Sequence, residues 1–261
     1  MPRFRNRAFR KYISPNSDRP RRRANISRLM KLVTWNCAMA LKKKHQKLLT
    51  LGADIMVIQE CSRSNIQQLG HPPEWSSTWF GKNKNKGLGV LAKAPWVIRQ
   101  AQALKPRWTG KLLIDGPASM ELFPVWACIT RRPAKAYIEQ VHSLLDMFDR
   151  TPLPPLAIVA GDFNSNSRWD SEHATQSHSA AVERFRKLGM ASAYHEFSGE
   201  PQGAERHPTF WFRKNKRTVY HLDYAFLSCA LLSKLRSVVI GHSDDWLSSS
   251  DHAPVLVEID L

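Results

Sequence analysis

Residues Leu156 to Asp170 read L-A-I-V-A-G-D-F-N-S-N-S-R-W-D. The opening run is apolar enough to be a buried strand, yet past Gly161 it ends in a carboxylate, Asp162, with Asn164, Ser165 and Asn166 close behind. A core strand that merely surfaces needs only turn residues at its end. Upstream, Ile138, Val141, Leu144, Leu145 and Phe148 recur at helical spacing, which predicts a helix from Ala134 to about Phe148, and P-L-P-P stops it. Helix, proline stop and buried strand form one arm of a β-α-β unit.

A second such unit lies near the start. L-V-T-W-N (32–36) predicts a strand, Leu41 to Leu51 an amphipathic helix stopped by Gly52, and I-M-V-I-Q-E (55–60) a second buried strand. Adjacent parallel strands with a right-handed crossover are expected. Between the two units, S-T-W-F, K-N-K-N-K-G and L-G-V-L-A-K read as a β-hairpin, with strands near Trp96–Gln100 and Leu122–Ile129. Beyond Asp170, a short helix from Val182 to Leu188 closes at Gly189. Strands follow at P-T-F-W-F (208–212), V-Y-H-L-D-Y-A-F-L (219–227), L-R-S-V-V-I (235–240) and A-P-V-L-V-E-I (253–259). Many strands with helices interposed in both halves predict an α/β class: a four-layer sandwich of two packed mixed β-sheets with helices outside.

The chain has 261 residues, 43% hydrophobic and 23% charged, enough to bury a large core without disulfides or metals as staples. Its charge is +17, and residues 1–31 hold eleven basic residues against the single acid Asp18, so the remaining 230 carry only +7. The charge-rich stretch 1–29 is expected to be a mobile arm and 30–261 one domain, with folding independent of the arm. A basic excess of this size suits a polyanionic partner. Cys37, Cys61, Cys128 and Cys229 form no C-x-x-C pair and are expected to be free thiols in a reducing compartment. No apolar run approaches the ~20 residues of a membrane helix, and the N-terminus lacks a secretory h-region, so a cytoplasmic protein without membrane insertion is expected. The sequence predicts no particular oligomeric state.

Polar residues collect at strand ends: Asn36, Glu60, Asp162 with Asn164, and Asp251 with His252 at the entrance to the last strand. In α/β sheets ligands bind beyond strand ends. Asp223 differs, being read as interior to a strand with His221 on the same face, where a buried charge needs a partner such as His252. Each residue alone has an ordinary structural reading. Together, oxygen ligands and a carboxylate-paired imidazole suit metal-assisted attack on a phosphate ester, with a hard cation favoured over zinc because no Cys cluster or H-E-x-x-H is present.

In this order, V-T-W-N, I-Q-E, G-D-F-N, H-L-D-Y and S-D-H resemble the endonuclease/exonuclease/phosphatase superfamily, deoxyribonuclease I-like, from Met30 onward. The resemblance implies a Mg²⁺- or Mn²⁺-dependent phosphoesterase: a nuclease acting on DNA or RNA, or alternatively a phosphomonoesterase or lipid-headgroup hydrolase. A non-catalytic polyanion-binding module is the third reading. By resemblance, Glu60 would hold the metal with Asn36 beside it, and Asp251 would lie near the metal, as a candidate ligand to a second ion. Asn164 would bind the scissile phosphate, and Asp223 would fix the tautomer of His252. Either Asp162 or His252 would be the base. Asn166 and His221 are further candidate phosphate contacts.

One element departs from the family. The strand before the long helix, F-P-V-W-A-C-I-T-R-R-P, has neither the N-x-H nor the Tyr that many members carry there. Arg131 and Arg132 are candidate replacements for its charge, or solvated loop residues. Lys82, Lys84, Lys86 and Arg213 to Arg217 are candidate polyanion contacts, and Trp79, Trp169 and Trp211 candidate base-stacking residues.

Overall fold

The structure, a computed structural model, describes residues 28–105, 108–128 and 136–261. The basic arm lies outside them, apart from its last two residues, as do Arg131 and Arg132.

The apolar runs pair into two sheets. The first runs β13 (Leu235–Ile240), β14 (Val255–Asp260), β1 (Leu29–Asn36), β2 (Ile55–Cys61), β4 (Lys86–Lys93) and β3 (Trp75–Asn83). The second runs β5 (Val97–Ala103), β6 (Gly110–Asp115), β7 (Met120–Trp126), β8 (Ala157–Asp162), β12 (Asp223–Ser228) and β9 (Met190–Ser192). β1 pairs parallel to β2, and β7 to β8, as the two β-α-β readings require, while the other pairings are antiparallel. A two-stranded ribbon, β10 (Phe210–Trp211) and β11 (Val219–Tyr220), stands apart from both sheets.

Alternation along each strand divides the apolar residues between two environments. Ile158 and Ala160 of β8 face the other sheet, joining Leu32, Val57 and Val90 in the inter-sheet core. Val159 faces outward and packs with Val141, Leu144, Phe148 and Phe185 under α3 (Ala136–Phe148) and α4 (His178–Lys187). On the first sheet, Trp35 and Ile58 meet Leu48 of α1 (His45–Leu49), Ile66 of α2 (Arg63–Leu69) and Trp246. Helices, sheet, sheet and helices give the four layers. Because both faces of each central strand are covered, their sequences read as continuous apolar runs.

Four local expectations need correction. The helix read over Leu41–Leu51 is a 3₁₀ turn (Leu41–Lys43) and the short α1, broken at Lys44 (φ −121°). Lys44 Nζ instead bonds the carbonyls of Cys37, Ala38 and Met39 at 2.6, 3.3 and 2.9 Å, holding a turn in which Ala38, Met39 and Ala40 all have positive φ. The strand read over 219–227 is interrupted at His221 and Leu222, where Thr209 Oγ1 accepts the amides of Leu222 (2.8 Å) and Asp223 (3.0 Å). α4 starts at His178, four residues earlier than expected, because Ser177 caps it through the Ala180 amide. Trp211 is buried in the core. All four cysteines are free thiols.

Candidate active site

Asn36, the last residue of β1, donates from Nδ2 to Asp162 Oδ2 at 2.9 Å and to Glu60 Oε1 at 3.4 Å, while its Oδ1 accepts the Ala38 amide at 3.0 Å. One amide thus ties the two sheets together. Glu60 reaches this point because β2 bulges: Gln59 faces Leu88, Cys61 faces Gly87, and Glu60 stands between them at φ 59°. An extra residue leaves the ladder and re-aims its side chain.

Asp162 closes β8. Gly161 before it (φ +155°) lies against β7 so closely that a Cβ would stand 1.8 Å from the Val125 carbonyl oxygen, so only glycine permits this approach. Asp162 is fully buried, and its Oδ1 accepts the Asn164 amide at 2.9 Å. Asn164 Nδ2 donates to Asp162 Oδ2 (2.9 Å) and the Ala127 carbonyl (2.8 Å). Asp223 opens β12 directly opposite Asp162. Its Oδ2 lies 2.9 Å from His252 Nδ1, and its Oδ1 has no hydrogen-bond partner among the described residues. His252 is held on three sides: its amide donates to Ser250 Oγ (3.0 Å), its carbonyl accepts from Trp35 Nε1 (3.0 Å), and Phe210 packs 4.6 Å from its ring. Ser250 Oγ in turn donates to the Asn36 carbonyl at 2.7 Å, linking His252 to the first sheet.

Burial pushes the Asp162 carboxyl up to about 7; Asp223 adds to the shift, and His252 opposes it. Burial alone would discharge His252, but Asp223 and then Asp162 outweigh it and hold the imidazolium up to about 10. Asp162, Asp223 and His252 offer ligand atoms within 4.8 Å of one another. With Glu60 and Asn36 alongside and Asp223 Oδ1 unsatisfied, the donors are mostly oxygens, which fits a hard divalent cation.

Asn36, Glu60, Asp162, Asn164, Asp223 and His252 therefore lie together. Asp251, half-buried beside His252, accepts the Trp211 amide through its carbonyl at 2.8 Å, and its carboxylate lies 3.5 Å from Ser250 Oγ. Asn166 and His221 lie elsewhere. Asn166 Nδ2 donates to Glu205 Oε1 (3.2 Å) and the His221 carbonyl (3.1 Å), and both residues are buried. His221 packs 4.5 Å from Tyr194, and burial lowers it to about 4. The break before β12 turns its ring away from the face of Asp223 expected for it. Trp79 donates to the Cys61 carbonyl, and Trp169 packs 4.7 Å from Tyr220. Lys82, Lys84 and Arg213 to Arg217 are exposed. Lys86, a candidate polyanion contact by sequence, places its Nζ 3.0 Å from Glu60 Oε2, while Ser250 and Thr209 support the site without having been singled out for it by sequence. Only the S of S-D-H offered a signal.

Among the described residues no helix is long and apolar enough to cross a membrane. No curated protein matches the chain in sequence. Several solved structures share its fold. The 3′ phosphatase NExo from Neisseria, bound to a product DNA hairpin, superposes with a TM-score of 0.71 at 19% identity, covering 89% of this chain and 100% of that one. An AP endonuclease from Archaeoglobus fulgidus gives 0.65 at 14%, again over 89% and 100%. TDP2 from D. rerio, complexed with a single-strand DNA product, gives 0.65 at 11%, over 89% and 99%. The sequence model of the Endonuclease/Exonuclease/phosphatase family matches residues 33–252, a span that contains every residue of the site, and the chain belongs to that family.

Proposed function

We propose that this protein is a divalent-metal-dependent phosphodiesterase that hydrolyses nucleic acid. The observation that carries the reading is the buried Asp162–Asp223–His252 cluster, joined through Asn36 to Glu60 at the ends of strands from both sheets. Glu60, positioned by the Asn36 amide, would hold Mg²⁺ or Mn²⁺, which would polarise a phosphoryl oxygen and neutralise charge.

The chain's own residues divide the remaining work. Asp162, with its carboxyl near 7, is matched to take a proton from an attacking water at neutral pH. His252, charged up to about 10, is a poor base and instead presents an imidazolium to a phosphate oxygen, held in place by Asp223 through Nδ1. Asn164 fixes the Asp162 carboxylate. In solved relatives of the same fold the bound molecules are DNA products, which supports a nucleic-acid substrate. Likeness to a 3′ phosphatase favours a second reading, hydrolysis of a phosphomonoester at a DNA 3′ end.

Incubating the protein with duplex, single-stranded and abasic DNA, RNA, 3′-phosphorylated DNA and phosphoinositide, with Mg²⁺ or EDTA, tests the proposal. Metal-dependent cleavage of an internal or terminal diester supports it. Release of phosphate alone supports the second reading. Salt-sensitive binding without cleavage would identify a polyanion-binding module.

A further inference from the structure

Lys86 opens β4 beside the bulge that projects Glu60, so that its ammonium stands 3.0 Å from Glu60 Oε2. The other oxygen of that carboxylate faces the Asn36 amide at 3.4 Å. Oε2 is therefore the oxygen left to a divalent ion while Asn36 keeps its bond to Oε1, and the ammonium competes for it. The same ammonium lies 5.3 Å from the centre of the Trp126 ring, at the end of β7, and Trp126 is the register partner of Asp162. Lys86 thus spans the mouth of the site from Glu60 on one sheet to the β7 wall on the other. That is the wall where the family's N-x-H or Tyr is absent.

Lys82 and Lys84 of the same hairpin point into solvent, whereas Lys86 is half-buried. Its side chain keeps 40% exposure and that of Glu60 21%, so the pair can open without disturbing the core. An ammonium is a compact charge on a flexible four-carbon stem, and once a divalent ion takes Oε2, like-charge repulsion drives it to the nearest other anion. With substrate present, that anion is the scissile phosphate.

We propose that Lys86 is the resident counter-cation of Glu60, displaced by the divalent ion onto a non-bridging oxygen of the substrate phosphate, where it supplies charge on the β7 side. The proposal rests on the functional reading above. It involves no covalent step by Lys86.

Two binding measurements on the full chain test it, using the parent, Lys86→Met and Lys86→Gln, each first checked for an unchanged melting temperature. The first is Mn²⁺ affinity by electron paramagnetic resonance without substrate. Both variants are expected to bind Mn²⁺ more tightly, by about threefold or more, the scale of a partly exposed ion pair. The second is affinity for deoxythymidine monophosphate at saturating Mg²⁺, expected to fall by about tenfold with the charge-assisted contact. Unchanged or weaker Mn²⁺ binding in both variants overturns the proposal, and so does unchanged nucleotide affinity. A purely structural role for Lys86 would move neither in the expected direction. Neither readout depends on turnover, so a parent that cleaves nothing in the substrate panel would refute the functional reading while leaving this test decisive.

Discussion

Asn36 Nδ2 lies 2.9 Å from Asp162 Oδ2, a single hydrogen bond between the last residue of a strand in one sheet and the last residue of a strand in the other. Removing it in Asn36→Ala takes a donor from the Asp162 carboxylate and leaves buried oxygen less satisfied. The loss of unfolding free energy is expected at about 1–3 kcal/mol in urea titration. Because this bond favours the ionised form of Asp162, the acid limb of the pH–rate profile should move to higher pH.

The pH–rate profile of the parent follows from the same charges. Activity rises as Asp162 loses its proton, at or below about 7, since a bound cation favours the carboxylate further, and falls as His252 loses its proton near 10. A plateau between these limits in kcat/KM is the expected profile. An alkaline limb near 6.5, the ordinary histidine value, would contradict the Asp223–His252 pairing.

Stability should depend on pH with a definite sign. The His252 value rises from 6.5 to about 10 on folding, so its stabilisation is whole below 6.5 and is lost as pH climbs toward 10. Asp162 rises from 3.8 to about 7, so its contribution is whole below 3.8 and lost as pH climbs through 7. Both groups lower stability with rising pH. Urea midpoints measured from pH 6.5 to 10 should fall in the parent and fall less steeply in His252→Gln.

Ser250 links the two halves of the site by donating to the Asn36 carbonyl and accepting the His252 amide. Ser250→Ala should lower kcat/KM by about tenfold through misplacement of His252. The protein should remain folded, at a cost of about 1–2 kcal/mol in urea titration.

At Gly161 the β7 backbone leaves no room for a side chain, because the Val125 carbonyl oxygen lies 1.8 Å from where a Cβ would stand. Gly161→Ala should destabilise by more than about 3 kcal/mol, since the neighbouring atom is backbone and cannot swing away. Thermal unfolding of the variant checks this.

The strand-end residues were legible in sequence because each closes an apolar run with a polar group: Asn36 after L-V-T-W and Asp162 after A-I-V-A-G. The partnership of Asp223 with His252 was legible because a buried carboxylate needs a positive partner. What was not legible depends on contacts distant in sequence. The break at His221 comes from the Thr209 hydroxyl, thirteen residues before Leu222, so strand alternation wrongly placed His221 beside Asp223. The helix at 41–51 fails because Lys44 is drawn to three carbonyls of the preceding turn. Lys86 read as one lysine in a basic hairpin tip, since only the β2 bulge brings Glu60 to it.

In the proposed reaction Asp162, set beside Asp223 and His252, drives phosphodiester hydrolysis. Cleavage of end-labelled single-stranded and duplex DNA and RNA in Mn²⁺, by the parent and by Asp162→Asn, tests it most directly. The parent is expected to cleave at least one of these, with a loss of about 10³-fold or more in Asp162→Asn. A parent that cleaves none, or an Asp162→Asn variant within about tenfold of the parent, would contradict it.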